Sequence, residues 1–176
     1  PHTLRTVSPI PMRDVEEMAG EGVDLSDAVT VFVTTVGAAT FDACLLHLRA
    51  QDCRFRLRVI AYVAPMHAAF QRMLDACRTP YYVQVDEDML LDPDAVRTLH
   101  ARIEACGPET ALVVCDLYDE HLRRCIHGVK IFRHAIAARY SLQDRDAFEV
   151  RQLRAMEADG FRVVRTFHGE TPIPGQ

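Results

Sequence analysis

No apolar run in the 176-residue sequence approaches the roughly 20 residues of a membrane span. No charged start followed by an apolar core marks a secretory signal. The six cysteines, Cys44, Cys53, Cys77, Cys106, Cys115 and Cys125, include no C-x-x-C pair, which argues against a zinc ribbon and against a dense disulfide scaffold. Reduced, buried thiols in a cytoplasmic protein are the expectation. The G-x-S-x-G elbow, the G-x-x-x-x-G-K-[ST] loop and the G-x-G-x-x-G fingerprint are also missing, so hydrolase, ATPase and dinucleotide readings lack their usual supports. Basic stripes are scarce: 20 Lys+Arg against 25 Asp+Glu give a net charge of -5, and the pair Arg123-Arg124 stands without a wider basic surface. A nucleic-acid partner is therefore not expected.

What remains is a chain with 49% hydrophobic and 26% charged residues, enough to build one ordinary core. Residues 1–27, rich in proline, glycine and acids without sustained periodicity, read as an irregular arm ahead of a single domain over residues 28–176. The β-branched run Val29 to Val36 predicts a buried strand. Phe41, Cys44, Leu45 and Leu48 then recur at helical spacing, with Thr40 as N-cap. The unit repeats: Leu57 to Val63 as strand, with Met66, Phe70, Met73, Leu74 and Cys77 as a helical stripe. It repeats again with Tyr81 to Val85, followed by a helix opened by Asp92-Pro93 and faced by Val96, Leu99, Ile103 and Cys106. Ala111 to Cys115 form the next strand. Three such alternations predict an α/β fold with a mainly parallel central sheet and helices on both faces. The polar turn Asp119-Glu120-His121 between two strand-like stretches predicts a β-hairpin in the C-terminal half. A last helix from about Asp146, stopped by Gly160, and a strand over 161–164 close the pattern. His47 and His100 are expected on helix surfaces.

The strongest chemical signal is Val83-Gln84-Val85-Asp86-Glu87-Asp88-Met89, where acids sit at the carboxyl end of an otherwise apolar strand. Ligands of open α/β sheets bind beyond that end. Asp86 and Asp88 can there offer oxygens to a hard divalent cation such as Mn2+ or Mg2+. His168, after the last strand, is a third candidate ligand.

With that motif in that order of elements, residues 29 to 168 resemble nucleotide-sugar glycosyltransferases of the GT-A, Rossmann-like fold, most similar to the family 2 type. The resemblance implies that residues 28–176 are a catalytic domain in which Asp86 and Asp88 hold the metal on the donor diphosphate. It implies that Thr34, Thr35 and Val36 approach the donor nucleotide, that Arg72 lies near its diphosphate, and that the strand His127 to Arg133 borders the acceptor. It also implies a donor of UDP or GDP type and a hydroxyl acceptor. The sequence departs from the family at Val63-Ala64-Pro65-Met66, where many members carry an acid that contacts the base. An inverting transfer further needs a carboxylate facing the metal motif across the cleft. Asp146 is the first candidate for this base, with Asp144 and Glu149 as alternatives. Two other readings stay open: a nucleotidyltransferase with a similar acidic site, although Gly37-Ala38-Ala39-Thr40 lacks its usual basic loop, and an inactive GT-A-like binding module.

Overall fold

In the computed structural model, which describes residues 15–144 and 146–165, the alternating apolar runs and helical stripes become three layers around one twisted sheet. The elements in chain order are β1 (Val15–Ala19), β2 (Val23–Asp24), β3 (Val29–Thr35), α1 (Phe41–Arg49), β4 (Cys53–Ala61), α2 (Met66–Ala76) and β5 (Tyr81–Asp86). They continue with α3 (Ala95–Ala105), β6 (Thr110–Asp119), β7 (Arg124–Arg133), α4 (His134–Ala137), α5 (Phe148–Ala158) and β8 (Arg162–Arg165). The strand order is β1-β4-β3-β5-β7-β6-β8, with β2 against β4. Strands β3, β4, β5, β6 and β8 share one direction, while β1 and β7 run against it. The sheet is thus mainly parallel, as expected.

The period of two along each strand sends alternate side chains to opposite layers. Val31, Val33, Val83 and Val85 pack beneath α1 and α3 with Cys44, Leu48, Leu99 and Ile103. Phe32, Ile60, Tyr82 and Phe132 pack beneath α2 and α5 with Phe70, Met73 and Met156. On that second face the Tyr82 and Phe132 rings stack with centroids 4.7 Å apart. Each such buried large side chain is worth about 1.5–3 kcal/mol in transfer free energy. Among the described residues no helix is long and apolar enough to cross a membrane.

Several local expectations are corrected. The segment before Val29 is not irregular throughout: β1 pairs antiparallel with β4, Val15 opposite Val59, and β2 pairs parallel with its start. Edge strands need only backbone pairing, so the acid-rich Val15–Ala19 forms one without an alternating pattern. Strand β4 begins at Cys53 rather than Leu57, and its Arg54, Arg56 and Arg58 alternate with the buried Phe55 and Leu57. Strand β3 ends one residue early, leaving Val36 exposed. Met66 opens α2 in solvent rather than on its inner stripe. Thr40 makes no side-chain cap, and α3 starts at Ala95 after Asp94 rather than at Pro93. His47 and His100 are half-buried; one bonds the Leu91 carbonyl at 3.0 Å and the other packs edge-on to Tyr81. None of the six cysteines is in a disulfide, but Cys115 is only half-buried and Cys125 is exposed.

One buried polar side chain joins the α1 and α3 ends. Gln51, 2% exposed, donates its amide to the His47 carbonyl at 3.2 Å and the Asp92 carbonyl at 2.7 Å. Its Oε1 accepts the Val96 N–H at 3.0 Å, doing for α3 what an N-cap side chain would. Gln51→Ala orphans two carbonyls and one N–H together. It should cost about 2–3 kcal/mol of unfolding free energy, measured by urea denaturation with an unchanged m-value.

Candidate functional site

Strand β5 is buried from Tyr81 to Val85 and then emerges: Asp86 and Glu87 are half-buried and Asp88 is exposed. The parallel register sets Thr34 of β3 opposite Asp86, and the Thr34 hydroxyl donates to Asp86 Oδ1 at 3.0 Å. Burial raises the Asp86 pKa above its ordinary value. The Thr34 bond and the Lys130 charge oppose that rise, and the charges of Glu149 and Asp88 add to it.

Glu87 turns the other way and serves the neighbouring loop. Its carboxylate accepts the Thr35 hydroxyl at 2.5 Å, the Ala38 N–H at 2.9 Å and the Val36 N–H at 3.2 Å. Burial works to raise its carboxyl, but the bonds from Thr35 and the 36–38 amides outweigh it, and the pKa lies below the ordinary value. The middle acid of the motif therefore fixes the turn after β3, where three backbone amides converge. Tyr62, following β4 with a φ of 55°, lays its hydroxyl over Gly37, so a Cβ there would displace the ring, and Gly37 itself has a φ of 84°.

The inward placement of β7 completes the site. The hairpin returns β7 between β5 and β6, pairing Lys130 with Gln84. Gly128 allows this approach, since the Leu117 side chain of β6 occupies the space a Cβ would need. Lys130 is the single lysine of the chain. Its Nζ donates to Glu149 Oε1 at 2.6 Å, and Gln84 Nε2 donates to the same oxygen at 3.2 Å. Glu149 thus reaches the sheet from the first turn of α5 and acts electrostatically on Asp86.

The other expected residues are distributed as follows. Asp146 is exposed in the turn before α5, with its backbone carbonyl accepting from Arg151 at 3.1 Å. Asp144 is exposed and contacts His67 Nδ1 at 3.4 Å, on the N-terminal turn of α2. Helix α5 begins at Phe148 after Ala147 in the left-handed region, without a side-chain cap, so neither aspartate caps it. Arg72 is exposed on α2, and His168 lies outside the described residues. Behind the motif, burial first and then the charges of Asp88, Asp86 and Glu87 push the Cys44 thiol up to about 12, so it stays a thiol at neutral pH and is no nucleophile.

Gln84, Glu87, Lys130 and Tyr62 were not singled out from the sequence. A glutamine inside the apolar Tyr81–Val85 run and the lone lysine inside Val129–Phe132 are the signals that mark two of them. Among the described residues no group of three or more His, Cys, Asp or Glu side chains is arranged to hold a metal. The chemistry of Asp86 and Asp88 still fits a hard cation. Mg2+-type ions are often held by one or two carboxylates, with water and phosphate oxygens completing the shell, and a partly desolvated carboxylate gains from a cation beside it.

No family model matches the chain, and neither does any curated protein sequence. Solved structures do. A mannosyltransferase from Pyrobaculum calidifontis, in complex with GDP-Man and Mn2+, superposes with a TM-score of 0.63 at 15% identity, over 80% of this chain and 55% of its own. This chain therefore spans about half of that enzyme's length. A 4-diphosphocytidyl-2C-methyl-D-erythritol synthase from Anaerococcus prevotii superposes with a TM-score of 0.51 at 10% identity, over 85% of this chain and 92% of its own. At such identities the likeness is one of fold.

The raised pKa of Asp86 has a signed consequence for stability. Between the ordinary carboxylate value and the raised one, the folded state keeps a proton that the unfolded state has released, so stability falls as pH rises through that window. Asp86→Asn should therefore raise the thermal midpoint at neutral pH. The gain should vanish below the ordinary carboxylate value, as scanning calorimetry over a pH series will measure.

Proposed function

We propose that residues 28–176 form the catalytic domain of a glycosyltransferase that moves a sugar from a nucleotide diphosphate donor of UDP or GDP type to a hydroxyl acceptor. The observation that carries this reading is the grouping of Asp86, Lys130 and Glu149 at the carboxyl end of the central strands, with Asp88 one step beyond. The fold neighbour solved with GDP-Man and Mn2+ supports the same donor class and a divalent cation here.

Asp86 and Asp88 would hold Mn2+ or Mg2+. When bound, the cation supplies fixed positive charge next to the leaving diphosphate. Thr34 orients Asp86, and Glu87 secures the 36–38 turn whose exposed edge, with Val36 and Tyr62, faces the nucleotide. The acceptor oxygen attacks the anomeric carbon, the bond from that carbon to the diphosphate oxygen breaks, and the acceptor proton goes to a carboxylate. In a single step this inverts configuration. What supports Glu149 as that base over Asp146 or Asp144 is its bond to Gln84, two residues before Asp86, while Lys130 holds the same oxygen. Arg72 on α2 and His168 remain candidates for the diphosphate and the cation.

A nucleotidyltransferase is the second reading, favoured by the likeness to the Anaerococcus synthase over most of both chains. An inactive module of the same fold would bind nucleotide without turning it over.

Thermal shift against nucleotide diphosphates and their sugars, with and without Mn2+, tests binding, and assays of turnover separate the three readings. A UDP or GDP sugar should raise the unfolding midpoint with Mn2+, the equivalent of about 2.7 kcal/mol at a hundredfold excess over Kd. Asp86→Ala and Asp88→Ala should abolish that shift and keep the fold. Glu149→Gln should keep donor binding and lower transfer about a hundredfold or more. Pyrophosphate release from a nucleoside triphosphate would favour the second reading, and no nucleotide-dependent shift at all would overturn both.

A further inference from the structure

At the amino end of the same sheet lies a second, independent feature. A cavity of about 290 Å3 opens between β1, β3, β4 and the end of α2, and three guanidinium groups, from Arg56, Arg58 and Arg78, line it. Its volume falls just below the ~300–1,000 Å3 of small-molecule pockets, which suits a small ligand. Arg56 and Arg58 are two apart on β4 and so share the sheet face that carries α2. Arg78 follows the last turn of that helix.

All three cations are oriented mainly by neutral carbonyls. Arg58 Nη1 donates to the Ala76 carbonyl at 2.8 Å, and Arg78 Nη1 donates to those of Asp75 at 2.6 Å and Cys77 at 2.8 Å. Arg56 Nε donates to the Ser26 carbonyl at 2.8 Å. The bonds of Arg58 and Arg78 absorb the negative end of α2, and all of these bonds aim the guanidinium groups without cancelling a full charge. Two carboxylates line the cavity as well. Glu16 lies 3.5 Å from Arg58 and Asp27 lies 3.4 Å from Arg56, and their side chains are 53% and 98% exposed. Contacts of that length to solvated acids are weak and easily exchanged. Against a chain of net charge -5, the cavity is locally positive.

The cavity floor limits how a ligand is recognised. Thr79 donates its hydroxyl proton to the Tyr81 carbonyl at 2.8 Å, so in the 2.7 Å bond between Thr30 and Thr79 the donor is Thr30. Both hydroxyl protons are used internally, and the donors left to a ligand are the guanidinium N–H groups. Each fork matches carboxylate and phosphate oxygens alike, and three of them lining one cavity suit an oxyanion with several oxygens and more than one charge, as a phosphate has.

We propose that this cavity is a binding site for a small phosphate-bearing molecule, held by Arg56, Arg58 and Arg78. It lies at the opposite end of the strands from Asp86 and needs no metal. Sites at both ends of one sheet let a phosphate compound adjust the stability of the fold without competing for the carboxyl end.

The test is a thermal-shift titration of the 176-residue chain with inorganic pyrophosphate in EDTA, against sodium chloride at matched ionic strength. The expected result is a saturable rise in midpoint with pyrophosphate alone. It should be retained in Asp86→Ala and weakened at least tenfold in apparent affinity in Arg56→Gln/Arg78→Gln, which leaves the more buried Arg58 in place. Broadening of the pyrophosphate 31P resonance by wild type and not by the double variant gives the same answer without heating. Chloride matching pyrophosphate, loss of the effect in Asp86→Ala, or full retention in the double variant would each overturn the proposal.

Discussion

A carboxylate held half-buried at the end of a central strand is the constraint around which this end of the molecule is organised. Asp86 sits where the sheet stops and water begins, so its charge is disfavoured by burial and then tuned in both directions by neighbours, with Thr34 and Lys130 favouring it and Glu149 opposing it. The neighbours come from three other elements. The parallel register of β3 brings the Thr34 hydroxyl, the antiparallel register of β7 brings Lys130, and α5 brings Glu149. None of these is close to Asp86 in sequence. Reversing the order of β6 and β7 would leave Gln84 and Lys130 unpaired across the sheet and remove the cation from the site.

The same sheet carries opposite charge at its two ends. Acids cluster where the parallel strands finish, and arginines line one face of β4 near where they start. The helices complement this division: the last carbonyls of α2 are taken up by Arg58 and Arg78 at the amino end. At the carboxyl end, the free amides of the 36–38 turn are taken up by Glu87. Backbone groups that a strand or helix leaves unpaired at its end are in both places satisfied by ionised side chains, whose hydrogen bonds are the stronger kind.

Much of the fold was legible because it rests on local periodicity. The apolar runs at 29–36 and 81–85, which became β3 and β5 within one residue, and the stripes of α1, α2, α3 and α5 follow from spacing alone, and the hairpin follows from its acidic turn. The insertion of β7 between β5 and β6 was not legible, since strand order is decided by pairing across some fifty residues and leaves no mark in either strand. Strand β1 was missed because an edge strand with two adjacent glutamates shows no buried alternation. The acidic end of β5 was legible, because at Asp86 and Asp88 charge interrupts an apolar strand. The start of α5 was misjudged: Asp146 looked like a helix opener, but Ala147 takes the left-handed conformation and the helix starts at Phe148. That shift leaves Asp146 in solvent and turns Glu149 onto the sheet. The opposite fates of Glu87 and Asp88, one bonded to a neighbouring loop and one exposed, depend on tertiary contacts that no spacing rule contains.

On the proposed function, the end of β5 holds a divalent cation together with a nucleotide diphosphate. Electron paramagnetic resonance of Mn2+ measures this most directly, because the sharp signal of the hydrated ion is lost on immobilisation. With GDP or UDP present, adding the protein should remove more free Mn2+ signal than the nucleotide alone removes, and a chain carrying both Asp86→Ala and Asp88→Ala should add nothing. A signal equal to that of nucleotide alone, with the protein folded and in excess, would contradict it.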